Sequence, residues 1–167
     1  TAWKEAGVGM VATYLTPLDP QSEEPERVDV RYSARMPEAK MATLVNGLVD
    51  QTIRALQQGC FYYRVVLADG KREIWRLVDE HAVFDEFIRI LDFYHAAQHL
   101  SKAAEHLFGK SSPKADRWFR SWRHKLRHDP GAVDGLIRSL LYHRRKLRTP
   151  TERYRQASVE LGYFRNN

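Results

Sequence analysis

Phe61-Tyr62-Tyr63-Arg64-Val65-Val66-Leu67-Ala68 is an apolar run of strand length that stops at Asp69-Gly70, and Phe87-Ile88-Arg89-Ile90-Leu91 is a second that stops at Asp92-Phe93-Tyr94-His95. These two runs decide the fold. Arg72 to Asp79 between them is short and helix-like, so the order is strand, helix, strand, the βαβ unit whose strands lie parallel and adjacent. The near-continuous apolar character of the first run predicts a central strand covered on both faces. In an open α/β sheet the carboxyl ends of the strands are where ligands and chemistry gather, so both terminal aspartates fall on one functional edge.

Upstream, Trp3 to Leu15 reads as extended, with Val8, Met10, Ala12 and Tyr14 on one alternating set that Gly7 and Gly9 interrupt. Thr16 to Arg27 collects prolines and acids and reads as a loop. Val28 to Ala34 alternates again and predicts a hairpin partner for the first strand. Pro37 and Glu38 suit a helix start, and Met41, Leu44, Val45, Leu48, Val49, Thr52, Ile53 and Leu56 carry the 3,4 spacing of one buried face as far as Gly59.

Downstream of His95 the period is helical throughout. Ala96, Ala97, Leu100, Ala103, Ala104, Leu107 and Phe108 form one apolar face ended by Gly109. Helices over about 115–127, 130–147 and 151–164 follow, separated by loops that each contain a proline. The fold class is therefore mixed α/β, with a β-rich part over 1–95 and an all-helical part over 96–167. The order of hairpin, helix, parallel strand, helix, parallel strand is what a ribonuclease H-like core would show after its first strand.

From Lys110 onward the chain has 15 Lys and Arg against 5 Asp and Glu, and before it 12 against 16. The positive field thus belongs to the helical part, the electrostatic footprint of a polyanion partner such as DNA. The competing reading is a set of solvated helix faces that happen to use arginine. Hydrophobic residues make up 43% of the chain, and no run approaches the roughly 20 apolar residues of a bilayer span. With no signal-like start at Thr1, a cytoplasmic protein without a membrane partner is expected. A single cysteine, Cys60, excludes an intrachain disulfide and reads as a small buried hydrophobe beside a strand.

Asp69 ends a strand and precedes a glycine. Such a carboxylate can project into a cleft and ligate a hard divalent ion, or Asp69-Gly70 can simply be a turn. Asp92 can cap the helix that follows, which puts His95 at its third position. His95 and His99 have the i,i+4 spacing of two metal ligands, but lack the glutamate that zinc proteases place between them. Aromatic and basic residues interleave in 118–125 and 142–148. Trp118 and Trp122 read as core, while Arg120, Arg123, Arg144, Arg145, Lys146 and Arg148 suit DNA phosphates.

Four landmarks in order, Tyr32-Ser33-Ala34-Arg35-Met36-Pro37-Glu38, Val65 to Gly70 with Trp75, Ile90-Leu91-Asp92-Phe93-Tyr94-His95-Ala96 with Leu100, and Glu160 to Asn167, resemble bacterial insertion-sequence transposases of the ISKra type, relatives of the Mutator-like group. The resemblance implies a DDE transposase with a ribonuclease H-like core, in which three acids hold two Mg2+ (or Mn2+) ions for DNA strand cleavage and transfer. It implies that Asp69 is the second acid of the triad. It also implies that Asp92 and His95 form the group's Asp-x-x-His signature, and that 96–167 is the helical insertion domain. By the same resemblance the first acid is expected upstream of Trp3 and the final glutamate downstream of Asn167, so the chain is expected to be an internal fragment that neither cuts nor joins DNA alone. Its partners would be transposon-end and target DNA, with a homo-oligomer in the DNA complex. The alternative is a DNA-binding or interaction module, derived from a transposase, without chemistry.

Overall fold

The computed structural model describes residues 6–15, 25–36 and 41–167. Residues 16–24 of the loop expected over 16–27 and the expected helix start at Pro37 and Glu38 lie outside them, while Glu26 and Arg27 belong to a strand and not to the loop. β1 (Gly7–Leu15) and β2 (Glu26–Arg35) pair antiparallel, with Met10 opposite Tyr32. α1 (Ala42–Gln57) packs on this hairpin, and the glycines of β1 explain how. Leu48 occupies the space that a Cβ on Gly9 would need, at 2.4 Å. The glycines therefore admit the helix, while Val8, Met10 and Tyr14 on the alternate set stay exposed.

β3 (Val65–Ala68), α2 (Arg72–Asp79) and β4 (Ile88–Leu91) form the expected βαβ unit, with a 3₁₀ turn at Ala82–Phe84 before β4. The Ile88 N–H donates to the Arg64 carbonyl and the Asp92 N–H to the Ala68 carbonyl, both at 2.7 Å. The same offset at both ends makes the pair parallel. The first apolar run differs from its expected form, since only four of its residues are strand and Leu67 is 64% exposed. Among the described residues β3 hydrogen-bonds to β4 alone, and its burial alternates, so one face is more covered than the other. Among the described residues the four strands make two two-stranded sheets. Cys60, expected to be buried, is exposed, because it lies in the irregular stretch that precedes β3.

The rest is helical: α3 (Phe93–Phe108), α4 (Pro113–His128), α5 (Ala132–Arg145) and α6 (Glu152–Asn166). Three of their starts carry side-chain caps, the first of them the expected Asp92. Asp92 accepts from Tyr94 N–H, Ser112 from Ala115 N–H with Pro113 at the first position, and Thr151 from Tyr154 N–H. Leu100, Leu136, Leu140 and Leu161, one or two from each of α3, α5 and α6, are fully buried. Trp118, Phe119 and Trp122 of α4 pack against that core as expected, and the Trp118 indole N–H donates to Ser139 Oγ at 3.1 Å. From α6, Arg153 donates to the carbonyls of His106 and Leu107, which satisfies the open end of α3.

The chain forms two compact units that interleave along the sequence. One is Thr1–Val65 with Arg76–Ile88, the other Val66–Trp75 with Arg89–Asn167. The Asp69 turn therefore belongs to the helical unit. No helix among the described residues is long and apolar enough to cross a membrane.

Candidate active site

In a parallel ladder a residue bonds to both neighbours of the residue it faces, so the Asp92 to Ala68 bond sets Asp92 opposite Asp69. Neighbouring strands lie about 4.8 Å apart. The two aspartates thus stand side by side at the carboxyl ends of β3 and β4, on one edge of the pair. Each is also used by the fold. Asp69 Oδ1 accepts from Lys71 N–H at 3.0 Å and its Oδ2 lies 3.8 Å from Lys71 Nζ, so it is a turn residue as well as a strand-end acid. Asp92 Oδ1 accepts from Tyr94 N–H at 2.8 Å, the capping role. Gly70 holds φ at +84°, and a Cβ there would come within 2.8 Å of Leu91 Cδ1, so the turn accepts no other residue without strain.

His95 is the third residue of α3, as expected, and a turn later His99 meets it, with their Nε2 atoms 3.3 Å apart. His99 Nδ1 lies 2.6 Å from Glu160 Oε2 of α6. Tyr163, one turn beyond Glu160, stacks on the His99 ring with centroids 3.7 Å apart and planes 13° from parallel. Its hydroxyl donates to the Asp69 carbonyl at 3.3 Å. One network therefore runs from the strand-end turn through Tyr163 and the histidine pair to Glu160, which is only 4% exposed.

Glu160 and Tyr163 were not among the residues expected at the site. Their signal was an acid at the spacing of a buried face, since Ala157, Leu161 and Phe164 flank Glu160 at helical intervals and are all buried. Tyr163 feels the convergence of acids directly. Burial first, and then the charges of Asp69, Asp92 and Glu160, push its phenol from 10.0 up to about 12. A raised acid pKa favours the neutral form in the folded state, so this contribution is complete below pH 10.0 and is lost as pH rises towards about 12. A tyrosinate absorbance titration is expected to show one late phenol among the eight tyrosines, absent in Tyr163→Phe. Ionisation of all eight near the ordinary value would contradict it.

Could the acids hold the magnesium ions that the resemblance implies? Two adjacent carboxylates suit a single Mg2+ that keeps waters and shares substrate phosphate oxygens. Among the described residues no group of three or more His, Cys, Asp or Glu side chains is placed to hold a metal. Two carboxylates supply too few oxygens for two such ions, so the described residues do not by themselves fit a two-ion site.

The basic residues separate into two kinds. Arg120 and Arg123 lie on the outer face of α4 with His124, Arg127 and His128, and together with Phe119 they line an open groove of about 390 Å³. Arg127 shares the i,i+4 spacing from Arg123 that could have identified it. Arg120 pairs with Asp116 at 2.9 Å, and Arg123 lies over the Phe93 ring. Arg145 and Arg148 are exposed. Arg144 is not: it is half-buried, donates to Ser158 Oγ at 3.3 Å and lies over the Tyr154 ring, so it joins α5 to α6. Lys146 hydrogen-bonds the Tyr142 hydroxyl, and that bond with its charge lowers the phenol below its usual value. Burial, and then Lys114 and Lys146, hold His143 below the ordinary imidazole range, so it adds no positive charge at neutral pH. Comparison of the chain with protein-family models, curated proteins and solved structures finds no match.

Proposed function

We propose that this chain is the middle of the catalytic region of a DDE-type DNA transposase, with a partial ribonuclease H-like core and a helical insertion that contacts DNA. The observation that carries the reading is the in-register pair Asp69 and Asp92 at the carboxyl ends of parallel β3 and β4, with His95 on the first turn of the next helix. In this reading Asp69 is a catalytic metal ligand, and Asp92 and His95 act beside it. Bound Mg2+ or Mn2+ would supply Lewis acidity to the scissile phosphate. The chain's own groups orient the DNA and accept protons.

Manganese tests the site without needing the whole reaction. Added Mn2+ is expected to broaden the amide signals of Asp69, Gly70 and Asp92 in this chain, and Asp69→Asn is expected to abolish the effect. In a longer polypeptide containing both flanking acids, Asp69→Ala should abolish metal-dependent strand cleavage. Broadening elsewhere, or cleavage that survives Asp69→Ala, would sink the reading.

A second reading is a DNA-binding module without chemistry. It is favoured by Lys71 Nζ at 3.8 Å from Asp69, where a cation of the protein already faces the carboxylate. That reading predicts salt-dependent DNA binding with no manganese effect.

Both readings place DNA on basic side chains, and α4 now carries the stronger expectation. Each neutralised phosphate adds about 0.9 to the slope of log K against log salt on duplex DNA. Arg120→Ala, Arg123→Ala and Arg127→Ala together are expected to reduce that slope by about 2 to 3. Arg144→Ala should leave the slope nearly unchanged and lower thermal stability instead, because its guanidinium is spent on Ser158 and Tyr154. A filter-binding series across salt concentrations decides this; a larger slope change in Arg144→Ala than in the α4 triple variant would reverse the assignment.

A further inference from the structure

We infer that Glu160 and His99 are positioning residues that fix the proton of His95 on Nε2, leaving its Nδ1 as the nitrogen that accepts a proton. The inference rests on the reading of Asp69, Asp92 and His95 as one site, and identifies the group that would take the proton from an attacking hydroxyl, whether of water or of a DNA end.

The donor and acceptor roles follow from chemistry. An ionised carboxylate can only accept, so at 2.6 Å from Glu160 Oε2 the Nδ1 of His99 must carry hydrogen. A neutral His99 then has only a lone pair on Nε2. His95 Nε2, 3.3 Å away, must donate to it, and a neutral imidazole that donates from Nε2 is bare at Nδ1. Tyr163, stacked flat on His99 and tied to the Asp69 carbonyl, holds the plane in which this ordering is set.

Packing alone does not call for this arrangement. A carboxylate 4% exposed carries a desolvation cost, and two apolar side chains would fill the same space at least as well. What the pair adds is a fixed direction for protons. A proton taken at His95 Nδ1 stays on that imidazole, whose positive charge is stabilised by its Nε2–H bond to His99 and, beyond it, by the Glu160 carboxylate; no other proton moves.

The test reads tautomers by long-range proton–nitrogen NMR on the 15N-histidine-labelled chain at pH about 8, above the ordinary imidazole range. The wild type is expected to show His99 as Nδ1–H and His95 as Nε2–H. Glu160→Gln retains an acceptor oxygen and should retain the pattern. In Glu160→Leu the Nδ1–H population of His99 should fall from nearly all to a minority, and His95 should shift towards Nδ1–H as His99 becomes the donor. A wild-type His99 carrying its proton on Nε2 overturns the inference outright, whether or not either variant folds. So does a His95 tautomer that is indifferent to Glu160→Leu. Because the spectra are taken without DNA or divalent metal, they fail or succeed separately from the strand-cleavage reading.

Discussion

Leu100→Ala is expected to lower the unfolding free energy of the helical unit by about 3 to 4 kcal/mol, the range for truncating a fully buried leucine whose neighbours cannot collapse. Leu100 has no exposed surface, and it shares the core with Leu136, Leu140 and Leu161. Those neighbours lie on α5 and α6, which pack against α3 and against each other, so the space left by the lost atoms stays open. Urea unfolding followed by far-ultraviolet circular dichroism measures the change. Val159→Ala is the matched control: Val159 lies on α6 but is 61% exposed, and its truncation should cost under about 0.5 kcal/mol. Equal midpoints for the two variants would mean that the leucine layer is not the core.

Glu160→Ala is expected to cost about 2 to 3 kcal/mol, because it strands a hydrogen-bonding nitrogen of His99 in a partly buried place. The informative comparison is the double variant Glu160→Leu with His99→Leu. Removing one partner of a buried polar pair leaves the other uncompensated, whereas replacing both by apolar groups is often neutral or stabilising. The double variant should therefore recover most of the loss and come within about 1 kcal/mol of the wild type. It should also lose the ordered proton on His95. A double variant as unstable as Glu160→Ala would show that the pair itself holds α3 to α6. Recovery would show that its presence is about the site.

Much of the framework was legible in the residues. The helical period after Asp92 fixed four helices to within a few positions, and the Asp92 cap marked the start of the first. Local chemistry suffices there, since a cap or an apolar stripe involves residues only a few positions apart. The parallel pairing of β3 and β4 also followed from the short crossover between them. The burial of β3 did not. An apolar run states that its side chains tolerate burial, and only the neighbours available decide whether both faces receive it.

The basic stretch shows the same limit. Arg144, Arg145 and Arg148 are alike as letters, yet Arg144 meets Ser158 and Tyr154 and is taken from the surface. Which arginine of a run is turned inward depends on the helix packed beside it. Sequence spacing marks a face, and it does not name what that face meets.

From the sequence alone came the elements, the two aspartates at strand ends and His95 one turn into a helix, because each is set by interactions among near neighbours. The tertiary structure alone decided that Asp92 lies level with Asp69, that Glu160 reaches His99, and that Tyr163 stacks on His99 and reaches the Asp69 carbonyl. These contacts join residues separated by 61 and 94 positions across α6 and its neighbours. A buried carboxylate is tolerable only where a donor meets it, and that meeting is set by how α3 and α6 pack.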